Sequence, residues 1–233
     1  MTVDPLVLMT EVDRATQRLL RTAEGLDDAG VAAPSGLPGW TRGHVLTHVA
    51  RNADAYANLL RGAATGADVP GYASPEARAE GIEAGHARPL AEQLADIRAA
   101  HERFAEQAAA VPAGAWPRVL QATGHPAAMV PWARLREVEV HHADLAAGYT
   151  PAHWPEAFAL RLLREVLDGL HEGPPLVLRP DALGHPLVVG DPAAAPVVSG
   201  PAWALAAWLT GRGDGAALTV SPDGELPTPP RWK

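Results

Sequence analysis

Four long stretches in the first 148 residues repeat apolar side chains every three to four positions, a spacing that commits this part of the chain to amphipathic helices. The first is opened by Asp4 as N-cap and Pro5 at the first helical position, and its stripe runs through Leu6, Met9, Val12, Leu19, Leu20, Ala23 and Leu26. Gly30, Pro34, Gly36, Pro38 and Gly39 then mark the segment from Asp28 to Trp40 as a loop. Thr41 caps the second helix, which runs to about Ala63 with Val45, Leu46, Val49, Ala53, Tyr56, Leu59 and Leu60 at helical spacing. Beyond a loop near residues 66–73, Ser74-Pro75 restarts a helix that Gly81, Gly85 and Pro89 interrupt. The regular pattern resumes in Leu90, Leu94, Ile97, Phe104 and Ala108 and stops before Pro112. Residues 116–130 are irregular, and a fourth helix starts at Pro131 and continues to Gly148. Four helices joined by loops of these lengths predict an antiparallel four-helix bundle over residues 1–150.

After Tyr149 the texture changes. Pro151, Trp154 and Pro155 mark a boundary, followed by a helix carrying Leu160, Leu163, Val166, Leu167 and Leu170. Short apolar runs bounded by turn residues come next, at 176–178, 187–189, 196–198 and 217–220, with 181–184 as a hairpin connection. A short helix, Ala202 to Leu209, lies between the last two. The second domain, residues 151–233, is therefore expected to be a small α+β unit, and the fold class of the whole chain is α + α/β.

Charge and composition remove several function classes. A net charge of -8 and a pI near 5.6 argue against binding a nucleic-acid backbone. No apolar run is long enough to span a membrane, and the N-terminus lacks a signal pattern, so a cytoplasmic protein is expected, as a monomer or a homodimer. There is no cysteine, which excludes thiolate ligands and a cysteine nucleophile; any thiol chemistry must use an external small thiol. Lys233 is the only lysine, so recognition of an anion falls to arginine.

Two helices carry polar pairs at four-residue spacing. His44 and His48 share a face of the second helix, and Glu137 and His141 share a face of the fourth. His48 is flanked by Val45, Leu46 and Val49, which directs it inward. The neighbour His142 has Val138, and no carboxylate, four residues before it. A Glu four residues ahead of a His is also an ordinary helical pair. Facing one another, however, the two helices would offer two imidazoles and a carboxylate to one divalent metal, the ligand set of a catalytic zinc with an open position.

The runs Leu37-Pro38-Gly39-Trp40-Thr41-Arg42-Gly43-His44-Val45-Leu46-Thr47-His48 and Arg136-Glu137-Val138-Glu139-Val140-His141-His142-Ala143-Asp144-Leu145 resemble the mycothiol-dependent maleylpyruvate isomerase family. So do Ser199-Gly200-Pro201 and the segment from Trp208 to Gly215. The resemblance implies a DinB-like metal-binding bundle followed by a sterol-carrier-like domain. It places the metal, zinc or another divalent ion, on His48, Glu137 and His141, makes mycothiol the second cofactor, and leaves His44 outside the ligand set. An arginine of the C-terminal domain contributes to activity in the family, and Arg212 is its best match here.

The implied reaction is a cis-trans isomerisation. The thiolate of mycothiol adds to the double bond of maleylpyruvate or a related cis-enedioate, the resulting single bond rotates, and expulsion of the thiolate leaves the fumaryl isomer. An anionic substrate needs a cation, and Arg212 would clamp a carboxylate, with the loop from Thr210 to Gly215 expected at the mouth of the metal cleft. Arg42, Arg51 and Arg134 are the alternatives. A zinc-dependent mycothiol S-transferase would share every metal residue, and a non-catalytic ligand-binding protein of the same fold would share the architecture.

Overall fold

The computed structural model describes residues 4–170, 175–229 and 232. The chain divides into two compact units, Met1–Tyr149 and Thr150–Lys233. The first contains helices α1 (Pro5–Glu24), α2 (Asp28–Ala32), α3 (Arg42–Thr65), α4 (Pro75–Gly85), α5 (Leu90–Ala110) and α6 (Val130–Asp144), with a two-stranded hairpin, β1 (Val119–Leu120) and β2 (His125–Pro126). Four of these, α1, α3, α5 and α6, are the predicted long helices. Helix α3 packs on α5 and α6, and α1 packs on α6 and α5. Their apolar stripes meet in a core of Val12, Leu19, Leu46, Val49, Leu60, Ile97, Phe104 and Val138, all shielded from solvent. At about 25 cal/mol per Å² of apolar area removed from water, such stripes are the main force holding the helices together.

Three features depart from the sequence expectation. Helix α2 occupies the start of the expected loop, because the Asp27 side chain accepts from the Gly30 amide and starts a turn there. Gly81 does not interrupt α4. The Ser74 cap on the Ala77 amide and Pro75 in the first turn nucleate the helix, outweighing a glycine cost of roughly 1 kcal/mol. Helix α6 ends at Asp144, four residues before Gly148.

Helix α4 lies against α3 because glycines remove the side chains that would hold them apart. A β-carbon on Gly43 would come within 2.0 Å of the His86 carbonyl oxygen, and one on Gly85 within 2.6 Å of the Thr47 side chain. Buried Gln93 of α5 fastens the junction, donating to the carbonyls of Gly85 and His86 and accepting from the Thr47 hydroxyl.

The second unit has helices α7 (Glu156–Asp168) and α8 (Ala202–Leu209) and strands β3 (Leu176–Pro180), β4 (Leu187–Val189), β5 (Val197–Gly200) and β6 (Thr219–Ser221). The sheet order is β4-β3-β5-β6, with β3 and β5 parallel and both edge strands antiparallel to their neighbours. Leu162, Leu163, Leu178, Val198, Leu205 and Leu209 form its core. The fold class is thus α + α/β. No helix among the described residues is long and apolar enough to cross a membrane.

Candidate metal centre

The centre is assembled from one turn of α3 and two turns of α6. His48 follows the Thr41 cap by two turns, on a face whose other members, Val45 and Val49, are buried, so its imidazole is carried inward with them. Glu137 and His141 stand one above the other on α6. Three atoms converge: His48 Nε2 lies 3.1 Å from Glu137 Oε2 and 3.0 Å from His141 Nε2, and the last two are 3.4 Å apart. Each of these atoms can present a lone pair to the same point. In a tetrahedral site with bonds of about 2.0–2.1 Å, neighbouring ligand atoms sit roughly 3.3 Å apart, so the donor set and its spacing fit a divalent ion such as zinc.

Neighbouring groups orient this triangle. Asp144 Oδ2 accepts from His141 Nδ1 at 2.9 Å, which keeps the proton on Nδ1 and turns the Nε2 lone pair toward Glu137 and His48. The Trp40 ring packs edge-on against His48 with centroids 5.8 Å apart. The Arg136 guanidinium lies 3.6 Å from Glu137. Burial pushes the His48 imidazole down to about 4, against the opposing pull of the Glu137 bond, so the ring is neutral at physiological pH. Burial acts to raise the Glu137 carboxyl, but the bonds from His141 and His48 outweigh it and hold the group well below the usual carboxylate range. Burial also opposes the charged form of His141, and Asp144 and Glu137 together outweigh it, raising that imidazole.

His44, one turn before His48, does not join the triangle. Its Nδ1 closes a capping box with the Thr41 backbone amide, its Nε2 lies 3.3 Å from Glu83, and its ring stacks on His86 at 3.9 Å. His44, Glu83 and His86 form a second cluster of possible ligands, but stacked parallel imidazoles point their in-plane lone pairs alongside one another and not to one point. His142 turns the other way, to the Thr22 hydroxyl at 2.8 Å and the face of Tyr149.

Arg212 belongs to the second unit. Its amide donates to the Ala207 carbonyl, its guanidinium donates to the Thr210 carbonyl at 2.7 Å, and the same group lies 5.4 Å from the Trp232 ring. Gly211, with φ of 72°, turns the chain out of α8 immediately before it. The other arginines considered from sequence are otherwise engaged. Arg42 donates to the Leu145 and Ala146 carbonyls, Arg51 pairs with Asp96, and Arg134 is fully buried on the Val49 carbonyl and Asn52.

Sequence reasoning missed Asp144, Trp40 and Arg78. Asp144 carries a readable signal, a carboxylate three residues after the candidate ligand His141 on one helix. Trp40 precedes the cap and carries none. Arg78 lies on α4, the helix expected to be interrupted, and donates through its NH2 to His48 Nδ1 at 3.3 Å.

Two family models match the chain: that of the mycothiol maleylpyruvate isomerase N-terminal domain over residues 12–146, and that of the corresponding C-terminal domain over residues 153–231. No curated protein matches it by sequence. Among solved structures, the crystal structure of the mycothiol-dependent maleylpyruvate isomerase is 32% identical and superposes with a TM-score of 0.90, covering 99% of this chain and 98% of that one. A histidine-to-alanine mutant of that enzyme superposes with a TM-score of 0.89 at the same identity and coverage.

Proposed function

Since the chain belongs to the mycothiol-dependent maleylpyruvate isomerase family, we propose that it catalyses the mycothiol-dependent cis-trans isomerisation of maleylpyruvate or a closely related cis-enedioate at a zinc centre. The observation that carries this reading is the convergence of His48 Nε2, Glu137 Oε2 and His141 Nε2 within 3.4 Å of one another on the helices α3 and α6. Held by these three groups, a divalent cation would supply the positive charge that keeps a thiol ionised at neutral pH.

The chain's own groups prepare the site for that chemistry. Asp144 holds His141 in the tautomer that exposes Nε2, and the Trp40 edge restrains the His48 ring. Glu137 contributes the one negative charge of the ligand set and is kept ionised by its imidazole neighbours. When bound beside this centre, the thiol would supply a nucleophile that adds reversibly to the conjugated alkene and so frees its rotation, consuming neither an oxidant nor a second substrate. The protein contributes no thiol of its own, in keeping with the absence of cysteine.

The test is metal analysis of the purified protein followed by an assay on maleylpyruvate with and without mycothiol. About one zinc per chain is expected, with conversion to fumarylpyruvate only when the thiol is present. Turnover that ends with mycothiol attached to the product would replace the isomerase reading with that of an S-transferase. A metal-free, well-folded protein without activity would replace it with that of a binding protein.

A further inference from the structure

Arg78 is unusual among the arginines of the first unit. Arg18, Arg51, Arg88 and Arg136 meet carboxylates, and Arg42 and Arg134 meet carbonyl oxygens. Arg21 and Arg61 are exposed. Arg78 is partly buried; it donates to an imidazole nitrogen, His48 Nδ1, at 3.3 Å and faces the Tyr72 hydroxyl. A guanidinium carries five donors in a planar fork, so most of its capacity faces no acceptor. Beneath it lies the Tyr72 ring, 6.0 Å from the guanidinium carbon, and the Tyr72 hydroxyl is shielded from solvent without an acceptor of its own.

Proton bookkeeping on His48 turns this into a site. As the structure stands, a neutral ring protonated on Nε2 donates to Glu137 and accepts from Arg78 on Nδ1, which satisfies both contacts. A cation on Nε2 needs that lone pair, so the neutral ring must then carry its proton on Nδ1. Two donors would face each other across 3.3 Å, and Arg78 would lose its acceptor. An anionic oxygen placed to one side of the pair, within hydrogen-bond reach of both nitrogens, would accept from each.

We propose that Arg78, the Tyr72 hydroxyl and the Nδ1–H of His48 form a carboxylate subsite in the first unit that becomes available when the metal is bound, and that it holds a carboxylate of the substrate. This rests on the isomerase reading and deepens it. It assigns substrate charge to a residue on α4 that shares a unit with the proposed metal ligands. The planar fork of arginine suits a carboxylate held by two bonds, which a lysine cannot reproduce.

The experiment is a calorimetric titration of the full-length protein with succinate, a saturated dicarboxylate to which no thiol can add. Metal content is measured on every sample. Metal-loaded wild type should bind succinate, and Arg78→Gln should weaken that affinity by about tenfold or more at unchanged metal content, the scale of one lost charge-assisted contact. Arg78→Lys should recover part of the loss. Tyr72→Phe, which keeps the ring and its packing, should weaken binding by about threefold, as one neutral hydrogen bond would. Metal-stripped wild type should bind more weakly than the loaded protein. Equal affinity in wild type and Arg78→Gln would overturn the proposal by showing that the anion rests on the metal alone. Loss of metal in Arg78→Gln would overturn it too, by making Arg78 a support for His48. If wild type isomerises nothing with mycothiol but succinate affinity still falls in Arg78→Gln, the isomerase reading fails and the subsite stands.

Discussion

Asp144 and His48 act on the same three-atom triangle in different ways, and substitutions should separate them. Asp144 acts through His141, holding the proton on its Nδ1 from 2.9 Å. Asp144→Ala should therefore weaken metal binding by about 10–100-fold without abolishing it, the usual scale for a lost partner of a ligating histidine. His48→Ala removes a proposed ligand itself and should abolish metal retention through a desalting column. Thermal unfolding of both metal-free variants should match that of metal-free wild type, since neither side chain belongs to the apolar core. The measurement is competition with a chelating dye; equal affinities in wild type and His48→Ala would remove His48 from the site. At this scale the sequence was informative where a helical repeat constrained the side chain. Glu137 and His141 share a face by their spacing alone, and His48 points inward because Val45 and Val49 do. Arg78 carried no such signal, since its meeting with His48 depends on where α4 lies.

The placement of α4 depends on two glycines and a glutamine. Gly43 and Gly85 let α3 and the end of α4 approach closely, and Gln93 bonds the carbonyls at that junction. Gly43→Ala would set a methyl group 2.0 Å from the His86 carbonyl oxygen, so backbone must move. A loss of about 1–3 kcal/mol is expected, the cost of overpacking a closed contact, and thermal or urea unfolding would measure it. Because Arg78 rides on α4, the same substitution should weaken succinate binding more than it weakens metal binding. A variant as stable as wild type would mean that α4 yields freely. The four long helices were legible because each repeats its apolar face over several turns. Helix α2 and the unbroken course of α4 were not, because capping by Asp27 and Ser74 and packing against α3 decide them, and these outweigh what glycine content suggests.

For the molecule as a whole, the supply of positive charge is the constraint. The chain carries a net charge of -8 and 19 basic residues, of which one is a lysine, so an anionic substrate must be met by arginine and metal. Most arginines described in the first unit are committed to carboxylates or carbonyls. In the second unit Arg212 remains the proposed contributor to activity, at the turn after α8. Arg212→Ala should lower turnover by roughly an order of magnitude or more, the scale of a lost charge-assisted contact, while zinc content and melting temperature stay near wild type. Steady-state kinetics beside metal analysis checks this, and full activity in the variant would remove Arg212 from the mechanism. By itself the sequence determined the class of the fold and named the residue types of the candidate metal centre. Helical period, strand alternation and fourfold spacing are local properties, set by the geometry of one element at a time. What only the tertiary structure decided is which of those residues meet. His48 joins Glu137 and His141 while His44 caps its own helix, and Arg78 finds His48 across thirty residues. These pairings depend on the packing of separate helices, which no single segment of the chain encodes.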